Sequence, residues 1–393
     1  MNRRVGVGDL LIGPRARRYL AQVIRSSRLS YGPFSERLEG EFARLHGSKY
    51  GIFCNSGTSA LHVSLQALKE RHGWKDGDEV IVPSVTFVAT ANVVLHNNLT
   101  PVFADVDPRT YNMDPAELER RITPRTRAVI PVHLLGLPAD MAEIMALAAR
   151  HKLRVIEDSC ETVFARYRGQ VVGSFGDLSC FSTYVAHYIV TGVGGLALTS
   201  DDDLAVRVKS LMNHGRDSIY LHIDDARGSR GRKLFDLVDR RFKFVSLGHS
   251  FRATEFEAAL GLAQLEEHEG IVKKRQRVAG LLTKGLKPFE DRLQLPYVPP
   301  DREHTFMLYP IVLRRGGKTG LVRHLESRGV ETRDLLPLIN QPVYRRLYGD
   351  LEPQYPVARR LNQAGFYVGC HQYMADADVA YLCEQVRRFY ARR

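Results

Sequence analysis

The chain has 393 residues, of which 44% are hydrophobic and 25% charged, and its formal net charge is +12. These proportions are typical of a globular protein with one large domain and a smaller one, and no run of 18 apolar residues predicts a membrane span. The basic residues lie among acids in short clusters such as 273–277, without a basic arm or zinc-finger pattern. The charge therefore favours an anionic small molecule over nucleic acid as the partner.

Cysteine usage and the N-terminus indicate a reducing compartment. The five cysteines are scattered and form no C-x-x-C pair, so we expect small buried residues rather than disulfides or metal ligands. The N-terminus, M-N-R-R-V-G-V-G-D, has basic residues but no apolar stretch of signal-peptide length. We therefore expect a cytoplasmic protein without a metal site.

The first part of the chain alternates predicted helices and strands. Apolar residues at helical spacing predict helices over 15–25 and 35–46, separated by a Y-G-P turn at 31–33. A short strand over 49–54 then runs into S-G-T-S at 56–59, where another helix begins. Such a turn at a helix N-terminus can bind an anion, because backbone N–H groups converge there. The alternative for this motif is an ordinary serine or threonine N-cap.

The alternation continues into the centre of the chain. Strands are predicted over 100–107 and 128–133, and the segment 84–91 is predicted to open a helix. Strands that alternate with helices indicate a mostly parallel sheet flanked by helices. Phe87, taken by itself, is typical of a core residue. His133 ends a strand, and it is either a structural histidine or part of a site.

The stretch 155–195 holds most of the candidate site residues. V-I-E-D at 155–158 predicts a buried parallel strand with acids at its carboxyl end, the edge where ligands bind in such sheets. A turn and a short strand with small hydroxyl residues follow, G-S-F-G-D-L-S-C-F-S-T at 173–183. His187 and the Gly-rich turn G-V-G-G close the stretch, which contains no lysine.

The second half predicts a helix over 201–212, a long polar loop over 217–245 and a helix over 256–269. A charged helix from about residue 271 leads into a smaller domain and a terminal helix. Two strands are predicted there, at 304–313 and 329–333, and the segment 365–371 comes before the terminal helix. We expect an α/β protein whose large domain, with its N-terminal helical leader, spans 1–270 and whose smaller C-terminal α/β domain spans 271–393.

These motifs together resemble the DegT/DnrJ/StrS sugar aminotransferase family of pyridoxal-phosphate (PLP) enzymes. S-G-T-S-A-L at 56–61 matches the family's phosphate-binding motif letter for letter. The family's E-D-x-x-Q corresponds to E-D-x-x-E at 157–161, and its G-S-F-G-D is repeated at 173–177. Its G-E-G-G resembles G-V-G-G at 192–195, and its N-Y-R-M-T-E resembles S-F-R-A-T-E at 250–255. The resemblance covers essentially the whole chain and implies the fold-type-I architecture of PLP-dependent transferases.

The resemblance also implies cofactor contacts. Asp158 would keep the pyridine nitrogen protonated, and Phe87 would stack on the pyridine ring. Ser250 stands where the family has an asparagine that reaches the phosphate across a dimer interface. The residues expected to bind the phosphate are Gly57, Thr58, Ser59 and Ser182. Family dimers share their active sites, so we expect a homodimer.

Two departures from the family decide the predicted reaction. His187 stands in place of the Schiff-base lysine, and Glu161 in place of a glutamine near the cofactor's phenolic oxygen. Histidine at this position is typical of the nucleotide-sugar 3-dehydratases, which use pyridoxamine phosphate (PMP) to remove the C3 hydroxyl of 4-keto-6-deoxyhexoses, with the histidine as acid and base. The cysteines do not form the cluster of the [2Fe–2S] subtype. The resemblance is therefore to the iron-free subtype, which acts on GDP-4-keto-6-deoxymannose and regenerates PMP with glutamate.

The expected partners are a nucleotide-diphosphate sugar and an amino donor, with glutamate as the predicted donor. The residues predicted to contact the substrate are His214, Arg216, Arg333 and Asn340. Two alternatives remain open. One is a catalytically idle homologue that serves as a regulator or partner subunit, suggested by Thr183, Val193 and Ser250. The other is a PMP-dependent dehydrase coupled to a reductase.

Overall fold

The computed structural model describes residues 4–217, 229–240, 242–335 and 337–391. Its centre is a seven-stranded sheet, and a four-stranded sheet follows along the chain. Helices from several parts of the chain contact the larger sheet. The expected α/β class with a mostly parallel sheet is confirmed.

The strands up to residue 199 form the large sheet and one separate hairpin. They are β1 (Tyr50–Cys54), β2 (Glu79–Pro83), β3 (Thr100–Ala104), β4 (Thr126–Val129), β5 (Arg154–Asp158), β6 (Arg166–Tyr167), β7 (Gln170–Val171), β8 (Leu178–Ser182) and β9 (Gly195–Thr199). The sheet has the order β1-β9-β8-β5-β4-β2-β3, while β6 and β7 make the hairpin. The pairs from β3 to β8 are parallel, and β9 pairs antiparallel with β1 and β8. Every residue of β2 and β9 is buried, as expected for strands covered on both faces.

Local sequence explains where several helices begin. The helices before residue 266 are α1 (Pro14–Ser26), α2 (Pro33–Leu45), α3 (Gly57–His72), α4 (Ala89–His96), α5 (Pro115–Arg121), α6 (Met141–His151), α7 (Asp202–Leu211), α8 (Gly231–Arg240) and α9 (Glu255–Leu265). Proline occupies the first turn of α1, α2 and α5, where its missing N–H is not needed. A capping box formed by Thr254 and Glu257 starts α9.

The C-terminal part is built on a small antiparallel sheet. Its elements are α10 (His268–Leu286), β10 (Leu293–Gln294), β11 (Leu308–Leu313), α11 (Thr319–Ser327), β12 (Thr332–Asp334), α12 (Pro342–Tyr348), α13 (Pro356–Ala364), β13 (Gly365–Gly369) and α14 (Asp376–Ala391). The strand order is β10-β11-β13-β12, and the N-terminal residue Val5 pairs with Val330. Apolar side chains near both sheets, such as Phe181 and Phe366, belong to one buried cluster. The domain boundary at residue 270 stays a prediction.

Some predicted element boundaries are wrong, because helix and strand ends depend on caps and pairing partners rather than on periodicity. The helix predicted to open at 84–91 begins only at Ala89, and the strand predicted over 304–313 begins at Leu308. The predicted long polar loop contains α8, and its residues 218–228 lie outside the described residues. No helix in the described ranges has the length and apolar character needed to cross a bilayer.

Candidate active site

The N-terminus of α3 lies against the ends of β5 and β8. A Cβ added at Gly57 would lie 2.8 Å from the Cβ of Ser182 and 2.9 Å from the Sγ of Cys160. Because Gly57 has no side chain, the start of α3 can lie directly against Ser182 and Cys160. This contact brings the predicted residues Gly57 and Ser182 together, beside the residues that follow Asp158.

The start of α3 is capped by Ser56. Its Oγ accepts the N–H of Ser59 at 3.0 Å and donates to the Ser59 Oγ at 2.9 Å. The ordinary N-cap is therefore present, but it leaves the hydroxyl hydrogen of Ser59 for another acceptor. The exposed Thr58 adds a second hydroxyl. With the positive end of the helix dipole, this turn can bind a phosphate group.

Asp158 is a buried carboxylate at the carboxyl end of β5. Its Oδ2 accepts from the hydroxyl of Thr90 at 2.8 Å, and its Oδ1 accepts from the N–H of Cys160 at 3.1 Å. Burial raises its pKa, and these two hydrogen bonds oppose that rise. A protonated ring nitrogen beside it would stabilise the ionised form. Thr90 is a contributor that the sequence analysis missed, since a threonine within a helix gives no distinct signal.

Phe87 is an exposed aromatic residue that is linked to Asp158 through Thr90. Its side chain is 56% exposed, so it is not a core residue. Its carbonyl oxygen accepts the N–H of Thr90 at 3.2 Å, and the Thr90 side chain in turn reaches Asp158. An exposed ring at this place is available to pack against a planar ligand.

The loop that carries His187 connects β8 with β9. The N–H of His187 donates to the carbonyl oxygen of Tyr184 at 2.9 Å, and its own carbonyl accepts from Arg275 at 3.0 Å. The next residue, Tyr188, is buried, and its hydroxyl lies 2.9 Å from that of Thr305. The loop is therefore held on both sides of the histidine.

The imidazole of His187 is partly buried and available for proton transfer. Its Nδ1 is buried without a hydrogen-bond partner within the described residues. Burial, and next the charge of Arg275, lower the pKa of His187 to about 3. A neutral imidazole with an unpartnered nitrogen can accept a proton and pass it on.

Glu161 is buried three residues beyond Asp158. One of its oxygens, Oε2, accepts the N–H of Leu135 at 2.9 Å. Burial raises the pKa of Glu161 to about 7, the Leu135 N–H opposes that rise, and the charge of Asp158 adds to it. Near neutral pH this carboxyl thus exists in both protonation states, and in the protonated state it can donate a hydrogen bond.

Ser250 and His214 lie together next to the strand that leads into α3. The N–H of Asn55 donates to the carbonyl of Phe251 at 2.7 Å, which places Ser250 beside the start of that turn. Ser250 and His214 are both exposed. Arg252 Nη2 donates to Ser250 Oγ at 3.2 Å and lies 3.4 Å from His214 Nε2. The arginine of R-A-T-E is thus a further cation at this place, which the sequence analysis did not single out.

The remaining predicted substrate residues lie on separate segments. The guanidinium of Arg216 lies 5.3 Å from the centroid of the Phe242 ring, and its Nε is buried without a partner in the part of the chain described. Arg333 lies on β12, paired in register with Tyr367. The amide oxygen of Asn340 accepts from Gln341. Within the described ranges no hydrogen bond or ring contact joins these three residues to His187, so their role stays a prediction.

Tyr367 on β13 is paired in register with Arg333 on β12. Burial raises its pKa, and of the charges acting on it Glu161 raises the pKa and Arg333 lowers it. Tyr367 therefore lies within electrostatic reach of both. The sequence analysis missed this residue, because a tyrosine inside a predicted strand is most simply part of the core.

Two questions raised by the sequence are answered by hydrogen bonds. His133 is structural: its Nε2 lies 3.1 Å from Glu157 Oε2, and its Nδ1 accepts the N–H of Ala139 at 3.0 Å. Thr183, where the family pattern has phenylalanine, pairs with the hydroxyl of Thr191 at 2.6 Å. This pair joins the two ends of the loop that carries His187.

These residues fit a pyridine ring that carries a phosphate group. They provide a phosphate cup at Gly57, a buried carboxylate, an exposed aromatic ring and an unpartnered histidine nitrogen around one edge of the sheet. The fold and the site define a PLP-dependent enzyme of fold type I. The chain belongs to the DegT/DnrJ/EryC1/StrS aminotransferase family, whose sequence profile matches residues 11–387.

Relatives and solved structures agree with this membership. GDP-perosamine synthase of Caulobacter vibrioides is 36% identical over 381 residues, which are 96% of this chain and 95% of the relative. The dTDP-4-dehydro-2,6-dideoxy-D-glucose 3-dehydratase of Saccharopolyspora spinosa is 31% identical over 390 residues, covering 95% and 84%. The structure of E. coli GDP-4-keto-6-deoxy-D-mannose-3-dehydratase with bound hydrated PLP aligns with a TM-score of 0.88 at 24% identity, covering 97% of this chain and 99% of that one. That last similarity concerns the fold.

Proposed function

We propose that this enzyme is a PLP- and PMP-dependent 3-dehydratase of a nucleotide-linked 4-keto-6-deoxyhexose, with glutamate as the amino donor. The observation that carries the proposal is His187, which replaces the family's Schiff-base lysine in a stretch without lysine and has a buried, unpartnered Nδ1. Bound PMP supplies an amine that condenses with the C4 ketone and an electron sink for cleavage of the C3–O bond.

A histidine at this position changes the outcome because imidazole cannot form the covalent bond that a lysine amine forms with the cofactor. In the aminotransferases of the family, the lysine forms this bond and thereby releases the aminated sugar from the cofactor. His187 would instead take up a proton from the C4′ carbon of the cofactor and pass it to the C3 hydroxyl, which would leave as water. Hydrolysis would then leave the cofactor as PLP and release a 3-deoxy-4-keto sugar and ammonia, so that deoxygenation replaces amination.

The other residues would orient the cofactor. Asp158 would hold the protonated pyridine nitrogen through a charge-assisted hydrogen bond, and Phe87 would cover the ring. Glu161, whose pKa is about 7, would donate to the phenolic oxygen when protonated and accept from it when ionised. The residues proposed for the phosphate are Gly57, Thr58, Ser59, Ser182 and Ser250. Those proposed for the sugar nucleotide are His214, Arg216, Arg333 and Asn340.

The names of the relatives divide between two reactions. The Caulobacter relative is a GDP-perosamine synthase, and the Saccharopolyspora relative is a 3-dehydratase of a dTDP sugar. Both names support a nucleotide sugar as the substrate. Amino transfer is the competing function, and the absence of lysine from 158–195 favours the dehydratase.

We also propose a homodimer with shared active sites. In the single chain α8 has no buried residue, although it carries Phe235 at 66% exposure. The segment after α8 leads to Ser250, and it exposes Phe242 at 79% and Leu247 at 90%. Exposed apolar surface of this kind favours association. Sedimentation equilibrium at several concentrations should give twice the mass of 44.4 kDa, and a monomer throughout would contradict the proposal.

The first experiment is an absorbance titration of the purified protein with PLP, followed by glutamate. A change from the aldehyde-like to the amine-like band, with release of 2-oxoglutarate, would establish the amino-donor step. Screening of 4-keto nucleotide sugars then identifies the product by mass and NMR. A 3-deoxy-4-keto sugar supports the dehydratase, whereas an amino sugar supports amino transfer. A requirement for an added reductase would support the coupled alternative.

The second experiment removes the proposed acid and base. His187→Asn should lower the rate of C3 deoxygenation by about 10²-fold or more, while PLP binding continues. His151→Asn is the matched control, because His151 is exposed at the end of α6. Unchanged deoxygenation in His187→Asn would refute the role of the histidine. No turnover in the wild-type protein with any sugar or amino donor would favour the idle homologue.

A further inference from the structure

Arg275 lies in the protein interior where three segments meet. It projects from α10 and is only 1% exposed. Its Nη1 donates to the carbonyl oxygens of Met307 at 2.8 Å and Cys370 at 3.1 Å, and its Nη2 donates to that of His187 at 3.0 Å. The guanidinium carbon lies 4.5 Å from the centroid of the Tyr188 ring.

This buried charge costs free energy, and no ion pair with another residue that the structure describes offsets it. Among the described residues no carboxylate pairs with Arg275, its Nε has no hydrogen-bond partner, and burial lowers its pKa. An apolar side chain of similar volume would avoid that cost. An apolar side chain could not donate to the carbonyl oxygens that Arg275 joins, and one of these carbonyls is that of His187.

We propose that Arg275 is a positioning residue for His187, whose guanidinium fixes the main chain of the catalytic loop to the segments beside β11 and β13. The inference rests on the proposed function, in which His187 is the acid and base. Other tethers hold neighbouring residues: the N–H of Val190, for example, donates to Gln264 Oε1 at 3.1 Å. Arg275 binds the main chain of His187 itself.

The same guanidinium acts on the imidazole ring. After burial, Arg275 is the charge that lowers the pKa of His187, and it thereby keeps the ring neutral. The groups that act on Arg275 in turn are Tyr188, Cys370 and Tyr373. A lysine at this position would keep the charge, but its single nitrogen cannot reproduce the planar fork that meets three carbonyl oxygens. Arg275→Lys therefore separates charge from geometry.

One readout reports the contact without any reaction. The sequence contains a single His-Tyr pair, His187-Tyr188. A PLP-loaded sample with ¹³C-carbonyl histidine and ¹⁵N tyrosine therefore gives one correlation across the directly bonded ¹³C–¹⁵N pair of that peptide bond, which reports the carbonyl of His187. We expect this carbonyl resonance to shift in Arg275→Met and in Arg275→Lys. Arg277→Met, whose arginine is exposed and paired with Asp376, should leave it in place.

The second readout is the rate of the glutamate-driven conversion of bound PLP to PMP in a single turnover, in which His187 would carry the proton from the α-carbon of glutamate to C4′ of the cofactor. Arg275→Met should lower the rate by about 10²-fold, the effect of a misplaced reacting group, and leave the glutamate concentration for half-saturation within about twofold. Arg275→Lys should recover part of the rate. The conversion uses no sugar, so a wrong sugar in the proposed function leaves this test intact.

The inference is overturned if the carbonyl resonance stays in place in Arg275→Lys. It is also overturned if the resonance moves but the rate equals that of Arg277→Met. Should Arg275→Met fail to fold, Arg275→Lys retains the charge and most of the volume, and both readouts on it decide the outcome. A parallel loss of rate and of glutamate binding would indicate a general structural role and would likewise overturn the inference.

Discussion

Replacing Glu161 by glutamine should remove a pH-dependent part of the free energy of unfolding. In the folded protein burial raises the pKa of Glu161 from 4.5 to about 7. In the unfolded chain it returns to 4.5, so between these values the folded state binds more protons than the unfolded state. The contribution to stability is therefore fully present below pH 4.5 and is lost as the pH rises through 7.

The size of this effect follows from the difference between the two pKa values. The rise from 4.5 to about 7 corresponds to about 3 kcal/mol in total. Between pH 5 and pH 8 the wild-type protein should lose roughly 2–3 kcal/mol from this group alone. Glutamine cannot titrate but can still accept the N–H of Leu135, so the variant keeps that free energy.

The measurement is urea denaturation of the cofactor-free protein at both pH values. The loss of unfolding free energy should be smaller in Glu161→Gln than in the wild type by the amount above. Glu269→Gln is the matched control, since Glu269 is 75% exposed on α10, and it should follow the wild type. If the wild-type and Glu161→Gln values fall in parallel, to within about 0.5 kcal/mol, the carboxyl is not protonated in the folded state and the reasoning is wrong.

Three further substitutions test the site and its loop. Asp158→Asn should weaken PLP binding by about 3 kcal/mol, because the pyridinium loses its charged partner; fluorescence titration measures this, and unchanged affinity would exclude the assigned role. Gly57→Ala should destabilise the protein by about 1–3 kcal/mol in thermal unfolding, since its Cβ would meet Ser182; a neutral result would contradict the tight contact. Tyr188→Phe leaves the Thr305 hydroxyl without its partner and should cost about 1 kcal/mol of unfolding free energy.

The sequence predicted the site best where several functional residues lie close together along the chain. The helix start at S-G-T-S (56–59) and the strand end at V-I-E-D (155–158) are examples. At each of them the residues that set the local structure also carry the functional groups. His187 was found because it occupies the lysine position of a motif that the surrounding residues resemble. Phe87 and His133 could not be decided, because their roles depend on exposure and on ring partners that periodicity does not reveal.

Arg275 is the clearest case that the sequence could not reveal. It lies in the cluster 273–277, which predicts a solvated basic surface or part of a positive cleft. The structure instead buries it at 1% exposure against carbonyl groups of distant segments. Its neighbour Arg277 is exposed and paired with Asp376, as such clusters usually are. Residues two positions apart lie on opposite faces of a helix, so Arg275 is buried while Arg277 is exposed.

The sequence by itself determined the elements of this enzyme, the phosphate-binding turn, the carboxylate after β5 and the replacement of lysine by His187. These depend on residues within a few positions of one another, where backbone preference and side-chain chemistry act locally. The tertiary structure decided which elements meet: Gly57 against Ser182, Arg275 against the carbonyl of His187, and Leu135 against Glu161. Burial and long-range hydrogen bonds arise only from packing, and they set the protonation states of Glu161 and His187 on which the proposed chemistry depends.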